Sequence, residues 1–367
     1  MPVPLSPELR DLLTLHLVPG LGPRLTAALL GHFGSARAVL EAGPRQLGEV
    51  PHIGEKLAAD LHQAMRGCDV TDELELIDRH GVRLLALGTA DYPPALGTIA
   101  DPPHLLYLRG TLEARDANAV ALVGSRHCTS YGRRVAERLA EGLVHKGFTV
   151  VSGLARGIDG HAHRAALKAG GRTVAVLAGG LSRIYPPEHG DLAQEVQAAG
   201  ALLSEANMAM EPLAGMFPAR NRIISGLCRG VVIVEAAQRS GALITASHAG
   251  EQARVVFAVP GPVDSAASAG SHELIRKGAI LCRGVEDIIE ELDGVAAACG
   301  PVRATSPPPD LDEVQRPIWD FLAEQPRHID EIARELKLPV AQLGTALMAM
   351  EMRKAVRRLP GNRYERA

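Results

Sequence analysis

Short runs of apolar residues, many of them β-branched, recur through the middle of the chain and alternate with segments whose apolar residues follow a helical spacing. Runs this continuous are typical of parallel strands that helices cover on both faces. The alternation therefore predicts an α/β domain built on a doubly wound, mostly parallel sheet. The predicted strands are Ala119–Val123, Phe148–Ser152, Thr173–Ala178, Ala201–Ser204, Val231–Glu235, Val255–Val259 and Ala279–Cys282.

Glycine or another small residue follows nearly every predicted strand, as in Gly124-Ser125, Gly153, Gly157 and Ser240-Gly241. The carboxyl ends of parallel strands share one edge of a sheet, where such sheets bind their ligands. Small residues there let a ligand approach the backbone, and the N–H groups at helix starts attract anions. The sequence therefore predicts an anion site at this edge. The arginines expected there are Arg126, Arg156, Arg183, Arg220 and Arg222.

One of these arginines lies in an apolar pattern. A helix over residues 219–228 places Arg220 on the same face as Ile223, because positions three and four apart are neighbours. A guanidinium on an apolar face is costly unless an anion meets it, so one interpretation makes Arg220 a ligand-facing residue. The alternative is an arginine that reaches solvent or pairs with a structural carboxylate. Phe217 is equally open to two interpretations, a ring that stacks on a base or a hydrophobic staple of the helix.

Two segments near the amino terminus repeat each other 32 residues apart, Val18-Pro-Gly-Leu-Gly22 and Val50-Pro-His-Ile-Gly54. They resemble the helix-hairpin-helix signature, in which a glycine-containing turn brings backbone N–H groups close to a DNA phosphate. The second copy has His52 where the first has a glycine. A simpler interpretation is that both are helix–helix turns that hold a small all-α domain together. In either case residues 1–80 are expected to form a helical domain.

The α/β domain is predicted to span residues 81–293. It begins with a proline-rich segment, Tyr92–Gly110, which predicts an extended crossover with one strand. At its far end, residues 294–310 contain three successive prolines and predict a stiffened linker.

The remaining residues, 311–367, contain three amphipathic segments followed by a basic hairpin, Val356–Tyr364. This order looks like a winged helix, in which the third helix often contacts duplex DNA. The third segment, Val340–Met352, is unusually apolar for a helix that reads a groove. Docking of a protein partner therefore stays open beside duplex binding.

Composition narrows the partners and the compartment. The chain has 367 residues, enough for about two or three domains. Its net charge is -3, so any contact with nucleic acid must use a local patch rather than a global basic field. Five cysteines are scattered without metal-ligand spacing, and no run of eighteen apolar residues occurs. We expect a cytoplasmic protein with no membrane partner.

Motifs for cofactors and metals are missing from the sequence. The dinucleotide fingerprint does not follow the first strand, and no Gly-Lys-Ser/Thr appears. His161 and His163 are two positions apart and point to different sides of a helix, unlike a zinc pair. We therefore predict no cofactor and no metal.

Catalytic residues are also not apparent, since the serines at the strand ends have no recognisable base partner. We therefore predict a protein that is not an enzyme. A rival interpretation is a nucleotide hydrolase or sensor that binds one mononucleotide at the arginine edge, with Asp159 or Glu235 as acid or base.

A series of motifs follows in order through the α/β region. They are Val123-Gly-Ser-Arg126 with Thr129-Ser-Tyr-Gly132, Gly153-Leu-Ala-Arg-Gly-Ile-Asp159, Thr173-Val-Ala-Val-Leu-Ala-Gly-Gly-Leu181 with Ile184-Tyr-Pro186, Phe217-Pro-Ala-Arg-Asn-Arg-Ile-Ile-Ser-Gly226, Ser240-Gly-Ala-Leu-Ile-Thr245 and Val255-Val-Phe-Ala-Val-Pro-Gly261. Together they resemble the DNA-processing protein A family, called DprA or Smf. The resemblance runs from about Tyr92 to Leu292.

The resemblance implies an extended Rossmann-like domain that binds single-stranded DNA, protects incoming strands and forms homodimers. It also implies transfer of the strand to the RecA recombinase during natural transformation and recombination. The expected DNA-binding residues are Gly124, Ser125, Arg126, Gly153, Arg156, Gly157, Arg183, Phe217, Arg220, Asn221, Arg222, Ser240 and Gly241.

A candidate dimer face comes from apolar residues in an otherwise polar stretch, Leu274, Ile275 and Ile280. The simpler interpretation is a helix that only packs on the sheet.

Overall fold

A computed structural model describes residues 5–299, 311–312, 314–322, 327–353, 355–359 and 361–366. The chain divides into two compact units, Met1–Cys299 and Gly300–Ala367, and each has hydrophobic clusters of its own. Within the described ranges, no helix combines the length and the apolar character needed to cross a membrane.

The first unit begins with a helical region. Its helices are α1 (Pro7–Leu17), α2 (Pro23–Phe33), α3 (Ala36–Glu41), α4 (Pro44–Leu47), α5 (Glu55–Arg66) and α6 (Thr71–Arg79). Ser6 and Ser35 start α1 and α3, because each hydroxyl oxygen accepts a backbone N–H bond of 3.2 Å from the first turn. The apolar sides of α2, α4 and α5 enclose a cluster that includes Leu29, Leu47 and Leu61.

Two of these helices also pack on the sheet that follows. Leu13 of α1 and Ile77 of α6 belong to the same buried cluster as Tyr107 and Leu202. The helical region and the α/β region therefore share a core, and residues 5–299 lie in one compact unit. The domain boundary that the sequence suggests near residue 80 stays a prediction.

The sheet lies at the centre of the first unit. Its strands are β1 (Arg83–Ala86), β2 (Leu105–Gly110), β3 (Ala119–Gly124), β4 (Thr149–Ser152), β5 (Thr173–Leu177), β6 (Ala201–Ser204), β7 (Gly230–Glu235), β8 (Val255–Ala258) and β9 (Ile280–Leu281). Among the described residues they form one sheet in the order β1-β2-β6-β5-β4-β3-β7-β8-β9. The stretch from β6 to β9 is parallel, whereas β2 pairs antiparallel with both of its neighbours. This extended Rossmann-like arrangement confirms the predicted fold class.

Helices cover both faces of the sheet. They are α7 (Pro94–Gly97), α8 (Ser130–His145), α9 (Ile158–Lys168), α10 (Gly190–Ala199), α11 (Met216–Gly226), α12 (Ala242–Glu251), α13 (Ala269–Arg276) and α14 (Val285–Cys299). Alternate residues of β3 show the two layers, because successive side chains of a strand point to opposite faces. Ala121 and Val123 join the cluster beneath α11 and α12, and Val120 and Leu122 join the cluster beneath α8 and α9.

Two predictions from the sequence are corrected here. Tyr92–Gly110 contains the expected strand β2, but it also contains the short helix α7, so it is not extended throughout. The predicted linker 294–310 begins too early, since α14 continues to Cys299. Alanines at 296–298 favour the helix there, and residues 300–310 lie outside the described residues.

The second unit has the winged-helix order. Its elements are α15 (Gln315–Phe321), β10 (Arg327–His328), α16 (Ile329–Leu336), α17 (Val340–Met352), β11 (Val356–Leu359) and β12 (Arg363–Arg366). The strands pair in the order β10-β12-β11. Leu347 and Met350 of α17 are buried in the core, whereas Met348 and Met352 are exposed. The apolar character of this helix therefore comes in part from ordinary core packing.

Candidate functional site

The strand order of the sheet reverses between β3 and β7, because β3 leads to β4 on one side and β7 leads to β8 on the other. A cavity of about 610 Å³ lies at the carboxyl ends of these two strands. Doubly wound sheets bind their ligands in such a crevice. The predicted site residues that line it are Gly124, Ser125, Arg126, Phe217, Arg220, Asn221, Ser240 and Gly241. We call it the main cleft.

Arg239 also lines the main cleft, although it is not among the residues predicted from the sequence. It is exposed, and it directly precedes Ser240-Gly241 in the loop after β7. Its position in the loop after a predicted strand is the sequence signal that could have identified it. The hydrogen bonds and ion pairs of the described residues include none made by the Arg239 side chain.

A second, shallow cavity of about 20 Å³ shares Arg126 and Phe217 with the main cleft. Its lining also contains the predicted site residues Gly153, Arg156 and Arg183. We call it the side cleft. Arg126 and Phe217 therefore stand between the two clefts and border both.

Gly157 lines neither cleft but supports the loop that carries Arg126. It has a φ of 72°, and a Cβ atom there would lie 2.2 Å from the carbonyl oxygen of Ser125. The next residue, Ile158, donates its N–H to the same oxygen at 3.2 Å. A side chain at position 157 would therefore displace the Arg126 loop.

Arg220 forms a buried part of the main cleft. Its side chain is 7% exposed, and Nη1 donates to the carbonyl oxygen of Gly153 at 2.8 Å and to that of Val176. A Cβ atom on Gly153 would lie 2.5 Å from Nη2, so only glycine fits beneath the guanidinium. Arg220 therefore ties the ends of β4 and β5 together. Neither interpretation of Arg220 from the sequence foresaw these backbone carbonyl partners.

The negative charge of the Asp159 carboxylate acts on the Arg220 guanidinium. Burial lowers the pKa of Arg220 to about 10, and the charge of Asp159 opposes that shift. Burial likewise raises the pKa of Asp159, while the charge of Arg220 lowers it. Asp159 accepts N–H bonds from Gly153 at 3.1 Å and Ala155 at 3.4 Å, so it orders the loop after β4.

Arg222 lies away from both clefts, and its prediction as a DNA-binding residue does not fit this position. Its side chain is 5% exposed and forms ion pairs with Asp101 at 3.1 Å and Glu205 at 2.8 Å. The physical reason is helical geometry, since residues two positions apart on α11 point to different sides. Arg220 faces the strand ends, and Arg222 faces the segment before β2.

Arg126 is exposed at the border of the two clefts, and its guanidinium lies 4.6 Å from the ring centroid of Phe217. This is a cation–π distance. The Tyr185 ring lies 5.8 Å from Phe217, tilted by 59°. Phe217 thus contacts a cation and a second ring at the border of the clefts.

The other two exposed arginines carry partners. Arg156 pairs with Glu188 at 2.5 Å, and Arg183 pairs with Glu211. All four side chains are at least 47% exposed. The structure therefore separates the predicted arginines into a buried pair on α11, an exposed pair with carboxylate partners, and Arg126.

The groups considered for catalysis have structural roles. Glu235 is 3% exposed and accepts bonds from the Thr129 N–H at 3.0 Å and the Thr129 hydroxyl at 2.5 Å, which fixes the start of α8. Ser152 donates its hydroxyl to the carbonyl oxygen of Leu122 at 2.6 Å. Ser125 accepts the N–H of residue 127 at 3.1 Å. The Ser152 side chain also interacts with the Asp159 carboxylate and lowers its pKa, which opposes the effect of burial.

The two histidines of α9 point in different directions, as the sequence predicts. His163 is fully buried, with Nδ1 2.7 Å from the Thr173 hydroxyl, whereas His161 lies 3.2 Å from Glu137. Over the described part of the chain, no group of three or more His, Cys, Asp or Glu side chains could hold a metal ion.

The repeated turns of the helical region have matching backbone geometry. Gly20 has a φ of 87° and His52 a φ of 71°, and the helices α2 and α5 begin three residues after them. Both turns are therefore helix–helix turns of the same kind. The second keeps that shape with a residue that is not glycine, at a cost of roughly 1 kcal/mol.

The far edge of the sheet carries the candidate dimer face. Leu274 and Ile280 line a cavity of about 640 Å³ beside β8, and Ile275 is half-buried on the same helix. Val255 and Val256 of β8 also line this cavity and are half-buried. An open cleft thus lies at this edge, lined by apolar side chains and by the charged residues Arg254, Glu273 and Lys277.

The fold is that of an extended Rossmann-like protein with a helix-hairpin-helix region before the sheet and a winged-helix module after it. The chain belongs to the DNA recombination-mediator protein A family, whose model matches residues 83–293. The DprA winged helix domain matches residues 302–362, and a SAM-like helix-hairpin-helix tandem matches residues 9–66.

Relatives match most of the chain. A protein Smf from Synechocystis is 34% identical over 95% of this chain and 96% of its own length. The Smf protein of Escherichia coli is 42% identical over 74% of each chain. The crystal structure of DprA from Streptococcus pneumoniae covers 79% of this chain and 99% of its own, with a TM-score of 0.70 and 33% identity.

A structure of DprA from Helicobacter pylori, described for its single-stranded DNA binding mode, covers 58% of this chain and 96% of its own. Its TM-score is 0.53 and its identity 30%.

Proposed function

We propose that the protein binds single-stranded DNA in the main cleft, protects incoming strands and loads the RecA recombinase on them, without catalysis of its own. The observation that carries the proposal is the exposed Arg126, stacked 4.6 Å from Phe217 at the border of a cavity of about 610 Å³. Strand-binding proteins combine these two elements, a cation for the phosphate and a ring for the base.

The chemistry of the cleft supports a flexible polymer. Arg126 and Arg239 come from different strand ends and line the same cleft, so a strand there can meet two cations. Gly241 leaves open space in which a strand can lie close to the backbone, since a Cβ atom there would meet no atom within 4 Å. Asn221 Nδ2 donates to the carbonyl oxygen of Gly241 at 3.4 Å, which links α11 to the loop after β7. The single-stranded DNA described for the Helicobacter pylori relative supports the same ligand.

Fluorescence anisotropy with a labelled oligonucleotide tests the proposal. We expect tight binding of single strands, weaker binding of the same sequence as a duplex, and affinity that falls with salt. Arg126→Ala should weaken binding, and Arg115→Ala, which removes an exposed arginine on the segment before β3, should not. Equal binding of single and double strands, unaffected by Arg126→Ala, would contradict the proposal.

The rival function, a mononucleotide hydrolase or sensor, finds less support. Its candidate acid and base, Asp159 and Glu235, are buried and hold backbone N–H groups. A thermal-shift comparison separates the two functions, because only the rival predicts strong stabilisation by a mononucleotide. We expect an oligonucleotide to raise the melting temperature and mononucleotides to leave it nearly unchanged.

Transfer of the strand to RecA in natural transformation, within the cytoplasm, is the biological setting we propose. The family description, a recombination mediator, supports it. We expect the protein to shorten the lag of RecA assembly on a single strand that carries a competing single-strand-binding protein. An unchanged lag at saturating protein would contradict this part of the proposal.

We also propose that the protein is a homodimer through the far edge of the sheet, with Leu274, Ile275 and Ile280 in the interface. The half-buried apolar residues around a cavity of about 640 Å³ support this. Leu274→Arg should yield a monomer in sedimentation at micromolar concentration. A wild-type monomer under the same conditions would contradict the proposed interface.

The terminal modules offer further contacts with duplex DNA. The helix-hairpin-helix turns of residues 9–66 and the winged helix of residues 302–362 belong to classes that meet DNA phosphates. We expect removal of residues 300–367 to reduce duplex affinity more than single-strand affinity.

A further inference from the structure

The main cleft and the side cleft share one wall, which Arg126 and Phe217 form. A polymer that fills the main cleft and continues past Phe217 therefore runs directly onto the residues of the side cleft. What those residues can bind decides whether the strand is held on one side of the wall or on both.

The side cleft itself is too small to enclose a base. Its volume of about 20 Å³ is close to that of a single water site. A nucleotide must therefore lie across its mouth. The mouth carries the Tyr185 ring, which is 40% exposed and stands 5.8 Å from Phe217. An exposed ring beside a bound strand is a stacking surface that accepts any base.

Two arginines flank this ring. Arg156 and Arg183 line the side cleft, and their side chains are 47% and 59% exposed. Each is held by a carboxylate, Glu188 at 2.5 Å for Arg156 and Glu211 for Arg183. A carboxylate and a phosphate present the same kind of charged oxygen to a guanidinium, so the two compete for one position.

The carboxylates are displaceable. Glu188 and Glu211 are 50% and 71% exposed, and ion pairs of this exposure contribute little stability. Glu188 lies in a short helical turn after Tyr185, and Glu211 lies in the loop before α11. Each can turn into solvent without a change in the sheet.

We propose that Tyr185, Arg156 and Arg183 form a second nucleotide subsite beyond the Phe217 wall, and that Glu188 and Glu211 occupy its phosphate positions when no strand is bound. The subsite rests on the proposed function, since its ligand is the next nucleotide of the same strand. Affinity then depends on strand length, because only a strand that crosses the wall displaces the carboxylates.

Binding of oligothymidylates of graded length, from a dinucleotide upwards, tests the subsite by anisotropy. Tyr185→Leu should lower the affinity for long strands by about fivefold or more, because the stacking ring is lost. The affinity for the shortest strand that binds should stay unchanged. Tyr185→Phe keeps the ring and should bind within about twofold of wild type. The double variant Glu188→Gln/Glu211→Gln should tighten long strands several-fold at low salt.

The matched control removes two charges elsewhere. Glu141→Gln/Glu195→Gln changes exposed carboxylates on α8 and α10, outside both clefts, and should tighten binding less than the Glu188/Glu211 pair. Photocrosslinking with a strand that contains 5-iodouracil adds a readout that altered packing would not produce. We expect the crosslink to map to Tyr185 on long strands.

The outcomes separate the two proposals. If wild type does not bind single strands, the proposed function fails. If wild type binds, Arg126→Ala weakens it, and neither Tyr185→Leu nor the Glu188/Glu211 variant changes long-strand affinity, then only the second subsite fails. Equal tightening by the control pair would also overturn the subsite, because the effect would then be one of net charge.

Discussion

Arg220 and Arg222 on helix α11 are 7% and 4% exposed, whereas Arg126 and Arg239 on the loops after β3 and β7 are exposed. Carbonyl oxygens hold Arg220 through Nη1, and two carboxylates hold Arg222. The exposed pair borders the main cleft without an ion pair among the described residues. Arginines of one edge thus divide into those that hold the protein together and those that can meet a ligand.

The difference between buried and exposed arginines also makes the site both rigid and open. Arg220 ties the ends of β4 and β5 and lies beneath the cleft that Arg126 borders. A fixed base of this kind lets an exposed side chain be positioned without being immobilised. Stability and binding are therefore expected to respond to different arginines.

The largest expected effect concerns the buried arginines of α11. Arg222→Ala should lower the free energy of unfolding by about 3 kcal/mol, since it leaves two carboxylates without their cation. That is the low end for such pairs, because Asp101 and Glu205 are partly exposed. Urea unfolding measures it. Affinity for single strands, corrected for folded protein, should stay at the wild-type value.

Arg37→Ala is the matched control for this change. Arg37 forms an ion pair with Glu41 in which both side chains are more than 60% exposed. Its loss should cost less than about 1 kcal/mol. An equal loss of stability in the two variants would break the distinction between buried and exposed arginines.

The next effect concerns the wall between the clefts. Phe217→Leu should weaken single-strand binding by about 1–3 kcal/mol, the usual contribution of a base that stacks on a ring. Phe217→Tyr should bind as wild type, because it keeps the ring. Normal binding by Phe217→Leu would show that the ring serves only the packing of α11.

A smaller effect concerns the pH dependence of the free energy of unfolding, through the buried His163. Burial lowers the pKa of His163 to about 3, with further lowering by His189 and Arg220. The unfolded chain protonates this group near pH 6.5, so its contribution is complete above that pH and is lost as the pH falls toward 3. Between pH 6.5 and 5.5 the loss should be about 1 kcal/mol, because the unfolded chain is already half protonated at this group at pH 6.5.

His163→Gln is the variant to compare. It removes the titrating group, so the unfolding midpoint in urea should fall less steeply between pH 6.5 and 5.5 than in wild type. Identical slopes in the two proteins would contradict the assignment of this pH dependence to His163.

Much of the fold follows from local pattern. The strands that cross the centre of the sheet are continuous apolar runs, and β3, β6 and β7 lie within one residue of their predicted bounds. The strand β1 is not predicted, because Arg83-Leu-Leu-Ala86 is short and shows no alternation of apolar and polar residues. The end of helix α14 is not predicted, because the small residues that form its last turns are also typical of a linker.

The site was harder to predict than the fold. Most residues of the main cleft can be predicted from their position at strand ends. The burial of Arg222 cannot, because it depends on ion pairs with Asp101 and Glu205, which both lie outside the motif that contains Arg222. Arg239 is not among the predicted residues, because the strand-end motif used for the prediction begins one residue later, at Ser240. The partners of Arg156 and Arg183 are exposed carboxylates that only the folded loops bring together.

The most direct test of the account is the salt dependence of single-strand binding in the double variant Arg126→Ala/Arg239→Ala. Each phosphate contact on a single strand contributes about 0.7 to the slope of log affinity against log salt. The account predicts a slope shallower by about 1.4 with the unfolding midpoint unchanged. A wild-type slope in the folded double variant would contradict it.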